Sequence, residues 1–144
     1  MSEEILKALT QLFAIVTKQD GGVSENEREY VIRFFQQELP QDLTKEYITL
    51  YDDFSEFNKQ NHEEVGISTS KVPSVKDSLR TLGICRKINK TLTQKQKVIV
   101  LLKLLELVGS DKHFSSQRME IINTVSTVFN ISIEEFKLLE LFIV

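Results

Sequence analysis

Two short polar segments contain the residue types that could bind a metal ion. The first, TKQDGGVSENERE at residues 17–29, carries an Asp, two Gly and a cluster of Glu between two apolar stretches. The second, GSDKHFSSQRMEI at residues 109–121, repeats part of this layout ninety-one positions later. Carboxylate oxygens are the side-chain ligands that hard divalent cations prefer. The two segments are therefore either cation-binding loops or corners between helices.

The corner interpretation needs no metal. Gly21 or Gly22 can adopt the left-handed conformation that ends a helix, and Ser24 can cap the helix that follows. Acidic residues such as Glu25 and Glu27 are favoured in a first helical turn because they face the positive end of the helix dipole. An EF-hand is excluded, since DGGVSENEREYV lacks alternating oxygen ligands before its Gly and has Val where the bidentate Glu should stand.

The other reactive side chains form no catalytic pattern. His62 lies in a polar stretch and His113 in the second segment, and neither has a partner at the spacing of a metal site or a triad. Cys85 falls on the apolar stripe of a helix. The adjacent acids Asp52 and Asp53 cannot face each other on a helix and are expected on a solvated surface. The sequence therefore predicts that the protein is not an enzyme.

Length and composition are those of one ordinary domain spanning residues 1–144. Of the 144 residues, 41% are hydrophobic and 27% charged, and the net charge is -3, which excludes wholesale disorder and a membrane bundle and argues against nucleic acid as a partner. The single cysteine excludes an internal disulfide, and the acidic start MSEEILKAL is unlike a secretory signal. We expect a cytoplasmic protein, or a domain on the cytoplasmic side of a membrane protein.

Apolar residues recur at three- and four-residue spacing, and this predicts an all-α fold of about seven helices. The polar stretch from Asn58 to Ser74 breaks the pattern and is predicted to be a mobile loop inside the domain. The fifth helix is apolar almost all round and is expected at the centre of the bundle. Val75, Leu79, Leu82, Cys85 and Ile88 mark the fourth helix. The other predicted helices run from about Glu3 to Lys18, Glu25 to Glu38, Leu43 to Phe57, Thr93 to Val108, Ser116 to Phe129, and Ile133 to the end.

The starts of the helices and their repetition are both visible in the sequence. Three Ser or Thr residues precede a Glu or Gln by three positions, which is the pattern of a capping box: Ser24 with Glu27, Thr93 with Gln96, and Ser132 with Glu135. Positions of like character also recur at a constant offset, which predicts a pseudo-symmetric bundle built from a duplicated helix pair. The pairs are Leu9 with Val100, Phe13 with Leu104, Val16 with Leu107, Asp20 with Asp111, Val23 with Phe114, Ser24 with Ser115, Val31 with Ile122, and Phe34 with Val125.

The stretch QDGGVSENE resembles the signature of the TerB-like domains of bacterial tellurite-resistance proteins and related co-chaperone domains. In that family an Ala-Asp-Gly start leads through a Ser or Thr cap to a Glu seven positions after the Asp. The matching residues in this chain are Asp20 and Glu27. The resemblance implies an all-helical fold of two repeated helix groups, with an acidic surface that binds divalent cations in some members.

The second segment departs from that pattern. Lys112 stands where the first segment has Gly21, and Arg118 stands where it has Glu27, which leaves Asp111 as the matching acid. A cation shared between both segments would be repelled by the two added positive charges. The resemblance therefore implies a weakly bound divalent cation at Asp20 and Glu27, with Asp111 as a further candidate ligand. Replacing Glu27 by Gln is expected to leave the fold nearly intact, because Gln also serves a capping box.

The stretch RTLGICRKINKTLTQKQKVIVLLKLLELV is similar to a TerB-like segment at the N-terminus of some bacterial proteins that continue into an ATP-binding cassette and a membrane transporter region. This similarity implies a non-catalytic regulatory or protein-interaction domain that meets a membrane only through the transporter. The alternative is a free-standing cation-binding stress protein of the tellurite-resistance type. A basic cluster is either a solvated surface or a patch for an acidic partner or headgroup; it comprises Arg80, Arg86, Lys87, Lys90, Lys95 and Lys97.

The C-terminal segment from Ile133 to Val144 has apolar residues on more than one face, whereas a helix at the edge of a bundle needs a single stripe. Part of this surface is expected to stay exposed and to mark an interface. A partner protein, an adjoining domain of the same chain, or a second copy in a homodimer would cover it. The apolar ending KLLELFIV also favours the interpretation that the domain is the N-terminal part of a longer protein.

Overall fold

The computed structural model describes residues 3–19, 22–55, 75–110, 112 and 114–143. Within these ranges the chain forms seven α-helices and no strand, so the predicted all-α fold is confirmed. The predicted loop from Asn58 to Ser74 lies outside the described residues. The helices are α1 (Glu3–Thr17), α2 (Glu25–Glu38), α3 (Gln41–Ser55), α4 (Val75–Asn89), α5 (Gln94–Gly109), α6 (Ser116–Val128) and α7 (Ile133–Ile143).

Side-chain caps fix where four of these helices begin. The three predicted capping boxes, which precede α2, α5 and α7, are all present with both of their hydrogen bonds. Ser115 caps α6 with one of the two hydrogen bonds of a capping box, in which its hydroxyl accepts from the backbone N–H of Arg118. Each cap satisfies backbone donors that have no partner inside the helix.

Helix α1 is the most buried element, with eleven of its fifteen residues buried. It packs against α3, α4, α5 and α6. Small side chains at Ala8, Thr10 and Ala14 allow neighbours to approach from several sides, and the Thr10 hydroxyl is satisfied by the carbonyl of Leu6. The prediction that α5 occupies the centre is therefore incomplete, because α1 shares that place.

Aromatic rings connect the first three helices. Phe13 of α1 meets Phe34 of α2 edge to face with the ring centroids 5.4 Å apart, and Phe35 meets Tyr47 of α3 at 5.6 Å. Such pairs contribute roughly 0.5–1.5 kcal/mol beyond the burial of their area. The first pair joins α2 to α1, and the second joins α2 to α3.

The face that α4 buries agrees with the predicted one only in the second half of the helix. Val75 and Leu79 are exposed, whereas Asp77 and Thr81 are buried together with Ile84, Cys85 and Ile88. The Asp77 carboxylate accepts a hydrogen bond from Gln19 and forms an ion pair with Lys18. The Thr81 hydroxyl donates a hydrogen bond to the backbone carbonyl of Asp77. A pattern of apolar residues cannot reveal a stripe whose buried members are polar and paired.

The constant offset of the sequence repeat recurs in the helix starts. Helix α5 begins ninety-one residues after α1, and α6 begins ninety-one residues after α2. Their N-cap residues, Ser24 and Ser115, keep the same offset. The pseudo-symmetric arrangement of the two pairs in space stays a prediction. No helix in the described part of the chain combines the length and apolarity needed to cross a membrane.

Candidate functional site

The third residues of α2 and α6 form a buried ion pair. Glu27 follows its cap Ser24 by three positions, and Arg118 follows its cap Ser115 by three. Both side chains are 0% exposed, and Arg118 Nη1 donates a hydrogen bond to Glu27 Oε2. Opposite charges therefore occupy equivalent positions of the two repeated segments and meet inside the molecule.

Backbone carbonyls complete the surroundings of the Arg118 guanidinium. Its Nη2 donates to the carbonyls of Thr17 at 2.9 Å and Gly22 at 2.8 Å, and its Nε donates to the carbonyl of Gln19 at 3.3 Å. All three carbonyls belong to the end of α1 and the turn after it. Gly22 has φ of 89°, a left-handed conformation that favours Gly. We call these three carbonyls with Glu27 Oε2 the oxygen cage.

Further polar contacts extend from the oxygen cage to α3 and α4. Gln19 Nε2 donates to Asp77 Oδ2 at 3.0 Å, and Lys18 Nζ lies 3.1 Å from Asp77 Oδ1. The Thr17 hydroxyl and the Tyr51 hydroxyl share a hydrogen bond of 2.7 Å. The end of α1 is thus joined through polar groups to α2, α3, α4 and α6.

Burial and charge act in opposite directions on the Glu27 carboxyl. Burial raises the pKa of Glu27 above its ordinary value, while the Arg118 guanidinium and the Ser24 N–H and hydroxyl work to lower it. A buried ion pair is maintained only when its hydrogen bonds are well satisfied. Here Glu27 Oε1 accepts from the Ser24 backbone N–H and Oε2 accepts from Arg118, so both carboxylate oxygens are engaged.

Of the three candidate cation ligands, only Glu27 lies within the described residues. Asp20 and Asp111 lie outside the described residues, and their roles stay predictions. Glu27 and the neighbouring carbonyls already accept hydrogen bonds from Arg118, so they do not fit a metal ion while the guanidinium is in place. Among the described residues, no three His, Cys, Asp or Glu side chains come together as a metal site would require.

The remaining histidine, cysteine and aspartate side chains considered in the sequence form no reactive cluster among the described residues. His62 and His113 lie outside the described ranges. Cys85 is fully buried in α4, and burial raises the pKa of its thiol to about 12. The expectation that Asp52 lies on a solvated surface holds only in part, because its side chain is 15% exposed and both carboxylate oxygens accept hydrogen bonds from Arg28 at 2.9 and 2.8 Å. Asp53 is exposed as expected.

Helix α7 presents large apolar side chains to solvent. None of its residues is buried, and Leu138, Leu141 and Phe142 are 59%, 71% and 82% exposed. These three side chains lie on one face, since residues three and four apart are neighbours on a helix. We call them the α7 patch. The prediction that apolar surface of this helix remains exposed is confirmed.

The opposite face of α7 attaches it to the bundle. Phe136, Leu139 and Ile143 are partly buried against the core, and α7 packs chiefly on α5. The close approach occurs at Gly109, where a Cβ atom would lie 2.5 Å from Ile143 Cγ2. The α7 patch is therefore held outward by contacts on the other side of its helix.

A family model described as tellurite resistance protein TerB matches residues 6–141. The chain belongs to the TerB family. The match begins inside α1 and ends inside α7, so it includes the oxygen cage of this TerB domain and the α7 patch except Phe142. No curated protein and no solved structure shows a significant match to the chain.

The pairing of Glu27 with Arg118 in this TerB domain was missed by sequence reasoning, which counted Arg118 only as a lost acid. The sequence did contain a signal for this pairing, namely opposite charges at equivalent positions of the repeat. If two repeated helix pairs pack face to face, equivalent positions near their meeting point approach each other, and opposite charges there predict an ion pair.

Proposed function

We propose that this TerB-family domain is a non-catalytic protein-interaction module of the cytoplasm and that the α7 patch is its binding surface. The observation that carries the proposal is the exposure of Leu138, Leu141 and Phe142 on a helix that has no buried residue. Large contiguous apolar surface on a soluble domain marks an interaction site more often than chance.

The spacing of the α7 patch suggests how a partner would bind. Anchors at positions i, i+3 and i+4 are the arrangement by which a helix docks on an apolar groove or on a second helix. Burying one large apolar side chain contributes about 1.5–3 kcal/mol. Three such anchors add to the apolar area that a partner would bury, and the affinity is what remains after the free-energy cost of association.

The charges around the α7 patch favour a basic partner. Glu134 and Glu135 are exposed in the first turn and Glu140 is half-buried, while Lys137 is the single basic residue of the helix. Complementary charge steers association and selects the partner. A second copy of α7 would bring the same acids against each other, so the proposed occupant is an amphipathic helix of another protein segment with basic residues beside its apolar stripe.

Attachment to an ATP-binding-cassette transporter, with a regulatory role, is a further part of the proposal and is supported by sequence similarity alone. It is tested by reading the coding sequence downstream of the Val144 codon. Continuation into a nucleotide-binding cassette would support the attachment. A stop codon there would contradict it without affecting the proposed role of the α7 patch.

The binding proposal is tested by titrating the domain with an amphipathic helical peptide of Leu and Lys and following the affinity by calorimetry. A Leu and Glu peptide of the same length is the charge-reversed control. We expect Phe142→Glu to weaken binding of the basic peptide at least about tenfold, since loss of roughly 1.4 kcal/mol has that effect. Leu79→Glu, an equal change at an exposed apolar residue of α4, is expected to leave the affinity unchanged.

Two outcomes would contradict the proposal. Equal affinity of the wild-type chain and the Phe142→Glu variant would remove the α7 patch as the site of binding. A concentration-dependent dimer in sedimentation equilibrium that Phe142→Glu abolishes would show that a second copy, rather than a basic partner, covers the patch.

A further inference from the structure

The oxygen cage has the composition of a cation site rather than of an ordinary packing contact. Four oxygen atoms converge on one positive group: the carbonyls of Thr17, Gln19 and Gly22, and Oε2 of Glu27. All four come from a single connection, the end of α1 and the start of α2. Carbonyl and carboxylate oxygens are the ligands that hard cations take in proteins.

The charge that these oxygens face is supplied by Arg118, which comes from another helix and is fully buried. Thr17 is the last residue of α1, whose C-terminal carbonyls carry partial negative charge. Convergent carbonyls and a buried carboxylate repel one another unless a cation lies between them. The turn after α1 therefore depends on a positive charge from elsewhere in the chain.

We infer that Arg118 acts as a tethered cation that fills a cation-binding cage in the α1–α2 connection, and that the cage binds a free guanidinium ion when the side chain is removed. The planar guanidinium group offers donors in several directions at once, and here three of its nitrogens each meet a cage oxygen. The native connection is consequently organised by a group that cannot dissociate. This inference goes beyond the proposed function and does not rest on it.

The test uses Arg118→Ala and measures its melting temperature with millimolar guanidinium chloride, a range far below that which denatures proteins. We expect a saturable rise in the melting temperature. Urea at the same concentrations is the neutral control of similar shape and is expected to give no rise. The Glu27→Gln/Arg118→Ala double variant is expected to lose the effect, because the cage then lacks its charge.

A second arginine provides the control for truncation itself. Arg28→Ala removes a guanidinium that pairs with Asp52 on a side chain 30% exposed to water, and because water reaches this position we expect no saturable rise with guanidinium. If Arg118→Ala is unfolded in buffer, circular dichroism is followed while guanidinium or urea is added. Helix recovery with guanidinium alone is the expected result.

Several results would overturn the inference. A response of Arg118→Ala to guanidinium that is no larger than its response to urea would do so, and so would an equal response of the double variant. Calcium chloride at constant ionic strength is expected to leave the melting temperature of the wild-type chain unchanged. A rise that Glu27→Gln abolishes would show that Glu27 binds a metal in spite of Arg118.

Discussion

Glu27 carries two roles, as the third residue of a capping box and as the partner of a fully buried guanidinium. The first role alone made Glu27→Gln appear harmless in the sequence. With the second role known, the same change leaves Arg118 buried without its counter-charge. Removing one member of a buried pair costs far more than the pair itself contributes, because the remaining charge cannot return to water.

We therefore predict that Glu27→Gln lowers the free energy of unfolding by about 3–5 kcal/mol, the range for an orphaned buried charge. Glu29→Gln, an equal change on the exposed side of α2, is the matched control and is expected to change it by less than about 0.5 kcal/mol. Urea denaturation of both variants measures the difference. Similar urea midpoints for the two variants would show that Glu27 stabilises the chain only through the capping box of α2.

Cys85 gives a prediction for alkaline solution. An unfolded thiol titrates near pH ~8.5, whereas burial raises the pKa of Cys85 in the folded chain to about 12. The folded chain holds the thiol proton more tightly, so the stability that this group contributes is fully present below about pH 8.5 and is lost as the pH rises toward the folded value.

The free energy of unfolding should accordingly fall with pH above the unfolded thiol pKa, with Cys85 contributing a slope of at most about 1.4 kcal/mol per pH unit. Cys85→Ala changes the absolute stability but is expected to lack this part of the slope. Denaturation midpoints measured from about pH 8 to about pH 10 compare the two chains, and the Tyr and Lys residues that begin to titrate near the upper end are the same in both. Parallel pH profiles would contradict the prediction.

At the scale of elements, the sequence predicted all seven helices of the described residues and missed part of the buried face of α4. The apolar period gave the extent of α2 and the three capping boxes gave the starts of α2, α5 and α7, because these signals depend on neighbours in the chain. The buried face of α4 was predicted correctly at Cys85 and Ile88 but not in its first turn, where Asp77 enters the core to meet Lys18 and Gln19. Such pairs join residues far apart in sequence and leave no local pattern.

The close packing of Gly109 in α5 against Ile143 in α7 helps to hold α7 so that the α7 patch faces outward. Gly109→Ala would place a methyl group against Ile143, and overpacking of this kind costs roughly 1–3 kcal/mol. Gly83→Ala is the matched control, since nothing lies within 4 Å of a Cβ at that helical position. It is expected to stabilise the chain by about 0.5–1 kcal/mol through helix propensity alone.

Hydrogen exchange measures where the effect of Gly109→Ala falls. Faster exchange confined to the amides of α7 is the expected result, because the helix loses its close seat on the end of α5. Stabilisation of the Gly109→Ala chain to the same degree as Gly83→Ala would mean that Ile143 moves aside without cost and that α7 is not held by this contact.

At the scale of the whole molecule, α1 joins the parts of the described structure. Its apolar residues form the centre of the core, and its last residue, Thr17, supplies one of the carbonyls that Arg118 of α6 binds. Helix α7 stands apart, since it packs chiefly on α5 and buries none of its residues. We therefore predict that substitutions in the oxygen cage change mainly the free energy of unfolding and those in the α7 patch mainly the free energy of binding. Combined in one chain, their effects on each free energy should add.

The central claim, that the α7 patch receives a basic amphipathic helix, is tested most directly by amide chemical-shift mapping. The ¹⁵N-labelled domain is titrated with the Leu and Lys peptide, and the shifts are placed on the structure. We predict the largest shifts along α7 and at the adjoining end of α5, with no such shifts in the Phe142→Glu variant. Shifts centred on another surface, or an unchanged map in the variant, would contradict the account.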